Sequence, residues 1–269
     1  MNTPPGPIKA NDEAVRRHRF HGLDDSVPNT IRMIRSLNRS QSLDTIFLER
    51  HFIPALGLND EMLQEQPSEL SQAFGKGLHI WQYPKQLARY LAWLVDVAPG
   101  ITTYMEIGSR WGGMFILIAE WLRHNGAALH RVIAVDPIPP TPFLEAYYNV
   151  LMQEEQAGQA PPELMYLQAL STSPLVSQVA MRTRPDFVFV DGDHRMAGAL
   201  FDHMLARKYA QVIVHHDIHS QVCPDTTFLW SALKTLEAPC FDAFEFIDQY
   251  DSVPGNFLGI GALKRRPGG

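Results

Sequence analysis

The sequence predicts an α/β protein with a Rossmann-like, open and mostly parallel sheet, and three observations carry that reading. Short β-prone runs alternate with amphipathic helical stretches from about residue 76 onward, as consecutive βα units do. The first run, TYMEI at 103–107, passes through Gly108 and then Gly112-Gly113 straight into an apolar helical stretch. Three later runs, RVIAVD, FVFVDGDH and VIVHHDI, close on acids or histidines. In such a sheet, ligands bind outside the carboxyl ends of the strands, where those residues fall.

Composition bounds the rest. The chain has 269 residues, 45% apolar and 19% charged, enough for one α/β domain and an extra segment. A net charge of −6 leaves no basic footprint for nucleic acid. Cys223 and Cys240 are too few and too far apart for a disulfide framework or a cysteine zinc site. The longest apolar run, MFILIA, is too short to span a bilayer, and no signal-peptide core is evident. The expectation is a cytoplasmic enzyme without membrane contact.

Residues 1–75 predict a helical N-terminal extension, from apolar patches at Ile31, Met33, Ile34 and Leu37 and at Ile46, Phe47 and Phe52. It is expected to act as a lid or to mediate dimerisation, with residues 76–269 forming the main domain. The basic cluster Arg16, Arg17, His18 and Arg19 reads as a solvated helix face. The next helix starts with Pro84 and carries Leu87, Tyr90, Leu91, Leu94 and Val95 at helical spacing. It leaves His79, Trp81 and Gln82 just ahead of it, as packing or ligand-facing residues.

The strand at 103–107 is preceded by Pro99 and Gly100, and the helix after it carries Met114, Ile116, Leu117, Ala119 and Leu122. A strand entering a helix through glycine leaves unpaired N–H groups and a positive dipole end at the sheet's edge. A dinucleotide fingerprint would need a second glycine where Arg110 stands. That spacing argues against a nicotinamide or flavin oxidoreductase. The second strand ends at Asp136, an acceptor suited to ribose hydroxyls. A helix from Thr141 to about Gln156 follows, then a third strand, ELMYLQALS, with Gln168, Ala169 and Ser171 as exit residues, where an adenine ring would lie. The fourth strand, Asp186 to Val190, ends at Asp191, Asp193 and His194, and the fifth ends at His215, His216, Asp217 and His219.

Carboxylates with imidazole suit a divalent cation such as Mg²⁺ or Mn²⁺. Asp191 and Asp217 are the expected ligands, with His216 a third. His194, with an ordinary pKa of about 6.5, is the expected base, and Asp193 a weaker one. A hydrolytic metal site would use the same residues, but it leaves the glycine turn unexplained.

The motifs EIGSRWGG, VIAVDP, FVFVDGDH and VIVHHDI together resemble those of class I S-adenosylmethionine (SAM) dependent methyltransferases, over most of residues 75–265. The likeness is to the metal-dependent small-molecule O-methyltransferases, distantly catechol O-methyltransferase and more nearly the macrocin, mycinamicin and novobiocin-type and "methyltransferase 24" enzymes. The resemblance implies a seven-stranded sheet, with FEFIDQY and FLGIGAL as its final strands and the last one antiparallel. It implies SAM held by Glu106, Gly108, Ser109, Gly112, Gly113, Asp136, Gln168, Ser171 and Asp191. It implies a cation on Asp191, Asp217 and His216, with His194 or Asp193 as base. Where relatives carry two adjacent acids, this chain has His216-Asp217. The implied reaction is methylation of a hydroxyl on a sugar, phenol or polyketide-like natural product, with a homodimer as the expected assembly. A SAM-binding protein without catalysis is the remaining alternative.

Overall fold

The structure is a computed structural model that describes residues 26–268, so the basic cluster at 16–19 lies outside the described residues. Seven strands form one sheet: β1 Thr103–Ile107, β2 Arg131–Asp136, β3 Glu163–Gln168, β4 Phe187–Val190, β5 Val212–His216, β6 Phe241–Phe246 and β7 Ile260–Arg265. Their order is β3-β2-β1-β4-β5-β7-β6. The first five pair in parallel, and β7 runs antiparallel to both β5 and β6. This is the expected Rossmann-like class I methyltransferase architecture, with its reversed last strand. The chain winds outward from β1 to β3, then returns to place β4 on β1's other side. The switch point between β1 and β4 is where a cleft forms.

Helices cover both faces of this sheet: α1 Ser26–Ser36, α2 Pro84–Val97, α3 Gly113–His124, α4 Pro142–Gln156, α5 Pro174–Thr183, α6 Met196–Arg207 and α7 Pro224–Leu236. Side chains alternate across a strand, and the core divides accordingly. Tyr104, Val132, Phe187, Phe189 and Val214 pack with the apolar stripes of α1 to α4. Met105, Ile107, Ile133, Val188 and Ile213 pack with Val176, Leu205 and Trp230 from α5, α6 and α7. Strands covered on both faces read as unbroken apolar runs, which is why VFV and VIV were recognisable.

Before α2, residues 39–56 form short helical pieces, and Leu58 then bridges to both Phe74 and Ile80. Helix α1 buries Val27, Thr30, Ile31 and Ile34 and packs on α3 and α4. Its last turn is pinned by ions: Arg35 Nη2 lies 2.7 Å from Glu120 Oε2 and 2.5 Å from Glu154 Oε1. Arg123 contacts the remaining oxygens of both acids at 2.5 and 2.7 Å.

Four boundaries differ from the sequence reading. The third strand stops at Gln168 rather than running on to Ser171. The sixth strand begins earlier, at Phe241, and stops at Phe246 rather than running through Tyr250. The seventh begins only at Ile260, because Leu258 and Gly259 adopt φ of +62° and +101°, which no extended strand accommodates. The fourth begins at Phe187, although the Asp186 backbone still bonds to Thr103 and Val212 on either side, and the Asp186 side chain is an acceptor. Its carboxylate takes the N–H of Thr102 and Thr103 at 3.0 Å each and the Thr102 hydroxyl at 2.7 Å. That clip joins the lower ends of β1 and β4 and so sets the relative height of their tips.

Candidate active site

A cavity of about 470 Å³ opens at the tips of β1, β4 and β5. The glycine turn forms one side. Gly108 has φ +88°, and a Cβ there would lie 2.0 Å from the Asp191 carbonyl oxygen, so only glycine lets the β1 loop touch the tip of β4. Gly113, the first residue of α3, runs so close under Leu78 that a Cβ would meet its carbonyl oxygen at 2.0 Å. Helix α3 has no side-chain cap, so its first N–H groups are open to an acceptor. The Ser109 hydroxyl, buried in the lining, has no hydrogen-bond partner among the described residues.

Arg110 takes φ +42°, the left-handed conformation, without being glycine. Its backbone N–H donates to Asp136 Oδ2 at 2.7 Å, and Asp136 Oδ1 accepts from Ile138 at 3.0 Å. Its guanidinium stacks over Trp81 at 4.5 Å and pairs with Glu61, tying the segment before α2 to the glycine turn. Met62, Glu65, His79 and Trp81 of that segment complete the wall. Burial, reinforced by Asp217, pushes the Glu65 carboxyl above its ordinary value. Glu106 lies buried below the turn, accepts from the Tyr104 hydroxyl, and is pushed up to about 8 chiefly by burial.

The acids and histidines converge opposite. His194 Nε2 lies 2.9 Å from Asp217 Oδ2 and 3.3 Å from Asp191 Oδ1. His216 Nδ1 lies 3.2 Å from Asp191 Oδ1 and 3.4 Å from Asp217 Oδ2. Asp217 adopts φ +56°, which turns its carboxylate back toward β4. Hydrogen bonds to Asp191 and Asp217 push His194 up to about 10. Burial alone would raise Asp191 and Asp217 and lower His216, but their mutual attraction wins, holding both acids low and the imidazole high. Cys223 completes this corner, its thiol directed at Asp217 Oδ2 at 3.5 Å and pushed up to about 12 mainly by burial.

A divalent cation fits these residues. One donor atom from each of Asp191, His194, His216 and Asp217 lies within 4.8 Å of the others. Adjacent ligands of a cation bound at about 2.1 Å stand roughly 3 Å apart, close to the spacings found here. His216 Nδ1 is buried yet satisfies hydrogen-bond geometry with neither carboxylate, as a nitrogen awaiting a cation would.

Of the residues expected in the site, Gly108, Ser109, Gly112, Gly113, Asp191, His194, His216 and Asp217 line the cavity together. Glu106, Asp136, Gln168 and Ser171 do not. Glu106 lies beneath the turn, Asp136 braces it, and Ser171 lies at the exit of β3 outside the lining. Asp193 also lies outside the lining. Arg195 grips its carboxylate at 2.7 to 3.1 Å, its backbone N–H closes the turn, and that grip holds the acid below its ordinary range. A carboxylate engaged in this way is a poor base, and the geometry gives Asp193 a turn-forming place instead. The sequence reading missed Glu65, Arg110 as a stacked anchor, and Gln82 as the partner of His216. Only the proline-marked start of α2, which fixes where Gln82 sits, gave any signal for the last.

No protein-family model and no curated protein matches the sequence. Among solved structures the chain is similar to the O-methyltransferase TomG from Streptomyces achromogenes, involved in tomaymycin synthesis and solved with SAM. That likeness has 16% identity, covers 86% of this chain and 100% of that chain, and has a TM-score of 0.41. It is also similar to the methyltransferase domain of bacterial CtHen1 (14% identity, 67% of this chain and 97% of that one, TM-score 0.43). A third is an rRNA methylase from Streptococcus thermophilus (8% identity, 70% and 99%, TM-score 0.44). These likenesses concern the fold alone.

Proposed function

We propose that this protein is a SAM-dependent O-methyltransferase that acts on a hydroxyl of a small molecule with the help of a divalent cation. One observation carries the reading. A single cavity is bounded by an uncapped glycine turn on one side and by two carboxylates and two imidazoles on the other. The open N–H groups of α3 and the Ser109 hydroxyl suit the carboxylate end and hydroxyls of SAM. Asp191, Asp217 and His216 would hold the cation, which when bound would lower the pKa of a nearby substrate hydroxyl. With imidazole in the donor set, Mn²⁺ suits the site better than Mg²⁺. His194, the most exposed of the four, would take the substrate proton, its Nε2 facing the cavity between the two acids. The sulfonium methyl then passes in line to the oxygen, leaving S-adenosylhomocysteine, and alignment supplies most of the rate.

Trp81, Trp111, Met62 and Met114 give the acceptor half an apolar, aromatic wall, suited to a sugar, phenol or polyketide-like ring. A net charge of −6 disfavours RNA as acceptor. Residues 57–82 supply Met62 and Trp81 of that wall, and we assign them the discrimination between acceptors.

The test is calorimetric titration of chelator-treated protein with SAM, repeated with Mn²⁺ or Mg²⁺ and a panel of hydroxylated acceptors. Micromolar SAM binding without cation, and methylation only with it, is the expected result. His194→Ala should cut turnover by about 100-fold or more and leave SAM affinity nearly unchanged. Absence of SAM binding under every condition overturns the reading and leaves a hydrolytic metal site.

A further inference from the structure

We infer that Gln82 and Gln86 form a positioning relay that dictates which nitrogen of His216 faces Asp191 and Asp217. The relay's purpose rests on the cation reading above, whereas its hydrogen bonds stand independently of it.

Both glutamines are buried, Gln82 at 2% and Gln86 at 0% exposure. Gln82 lies two residues ahead of α2 and Gln86 is the helix's third residue, so they are four apart and adjacent in space. An amide has an accepting end and a donating end, and partners of fixed polarity decide which way it faces. Gln86 has such partners on both ends. Its Nε2 donates to the carbonyl oxygens of Asp248 at 2.9 Å and Phe257 at 3.4 Å. Its Oε1 accepts the backbone N–H of Gly259 at 3.1 Å. Turning the amide over would set its oxygen against two carbonyls and its NH₂ against an N–H.

With Gln86 fixed, the rest follows. Its Oε1 also receives Gln82 Nε2, which turns Gln82 Oε1 toward His216 Nε2. An oxygen there accepts, so His216 carries its proton on Nε2. A neutral imidazole protonated on Nε2 presents a lone pair at Nδ1. That lone pair lies 3.2 Å and 3.4 Å from two carboxylate oxygens. Without a cation a proton on Nδ1 meets those oxygens; when a cation takes that proton's place, the Nε2–H is already held by Gln82 and Nδ1 is the nitrogen left to bind it. The relay therefore makes His216 a ligand through Nδ1 rather than a general base, and it does so from the main chain that links β6 to β7. Metal-bound histidines are commonly held by a partner on the other ring nitrogen; here the partner is a neutral amide, itself held by a second amide.

The experiment uses the full chain labelled with nitrogen-15 at histidine, Zn²⁺ as a diamagnetic probe, and the variants Gln82→Leu, Gln86→Leu and Gln82→Glu. In the native protein with Zn²⁺, His216 should show a proton on Nε2 that is slow to exchange with water, and none on Nδ1. Gln82→Leu and Gln86→Leu should lose that protection and weaken Zn²⁺ binding by about 10- to 100-fold, with SAM affinity unchanged as the control for folding. Gln82→Glu keeps an acceptor opposite Nε2 and, with its second oxygen protonated to donate to Gln86 Oε1, should retain native Zn²⁺ affinity within a few-fold. A proton on Nδ1 with Zn²⁺ bound, or native Zn²⁺ affinity in Gln82→Leu, overturns the relay. If the native protein binds no cation, the functional reading above fails, and the ring alone judges the relay. A protected Nε2–H that Gln82→Leu abolishes supports it, and an unprotected one overturns it.

Discussion

Glu106 sits at the tip of β1 with 2% of its surface exposed, and its partner is the Tyr104 hydroxyl. Burial raises it to about 8 from an ordinary value of 4.5. Because the folded value lies above the unfolded one, stability is greatest below 4.5 and falls as pH rises toward 8, by up to about 1.4 kcal/mol per unit. Above 8 both states are ionised and the loss levels off. Glu106→Gln should therefore gain melting temperature relative to the native protein, by a margin that widens from pH 5 to 8 and then stays constant. A margin independent of pH would show that the carboxyl is ionised throughout. At this scale, what the sequence made legible were residues at strand ends: Asp191, His194, His216 and Asp217 converge because β4 and β5 are neighbours. What stayed hidden were partners brought together by folding alone. Gln82 meets His216 across 134 positions, and no local pattern marks such a pair. Asp193 differs in that its partner Arg195 is only two residues away, a local clip that the strand-end pattern does not distinguish from a residue facing the cavity.

The glycine turn governs how the elements fit. A methyl group at residue 108 would collide with the Asp191 backbone while holding a left-handed φ, a combined cost of roughly 3 kcal/mol. Gly108→Ala is expected to lose that much stability by chemical denaturation and to lose SAM binding with it. Near-native stability would mean the loop and the tip of β4 separate freely. The start of α2 and the turn before α3 were readable because proline and glycine mark them. The start of β7 was not, because it is set by its register against β5 and by two positive-φ residues, and neither appears in the hydrophobic pattern. The acceptor role of Asp186 was likewise concealed within an apolar run.

In the whole molecule, α1 is fastened to α3 and α4 by Arg35, Glu120, Arg123 and Glu154. Glu120 has no exposed side-chain surface, whereas Arg35 is 39% exposed, so the interaction is partly screened by water. Arg35→Met should cost about 1 to 2 kcal/mol, or a few degrees of melting temperature. It should speed amide exchange in residues 26–36 while β1 and β4 keep their protection. Uniformly faster exchange across the sheet would show that α1 is integral to the global unfolding unit. Among the described residues no helix is long and apolar enough to cross a membrane.

The burial of α1 also has a consequence in time. Val27, Ile31 and Ile34 are covered by two helices, the later of which ends 120 residues further along the chain, at Gln156 against Ser36. At synthesis rates of about 5 to 20 residues per second, α1 waits roughly 6 to 24 seconds for the surface that covers it. During that interval its apolar stripe is available to whatever binds nascent hydrophobic segments. The wall over Gly113 waits too, since Leu78 is made long before the helix it rests on. On the ribosome, the first described residues to appear are thus among those that must wait for their partners.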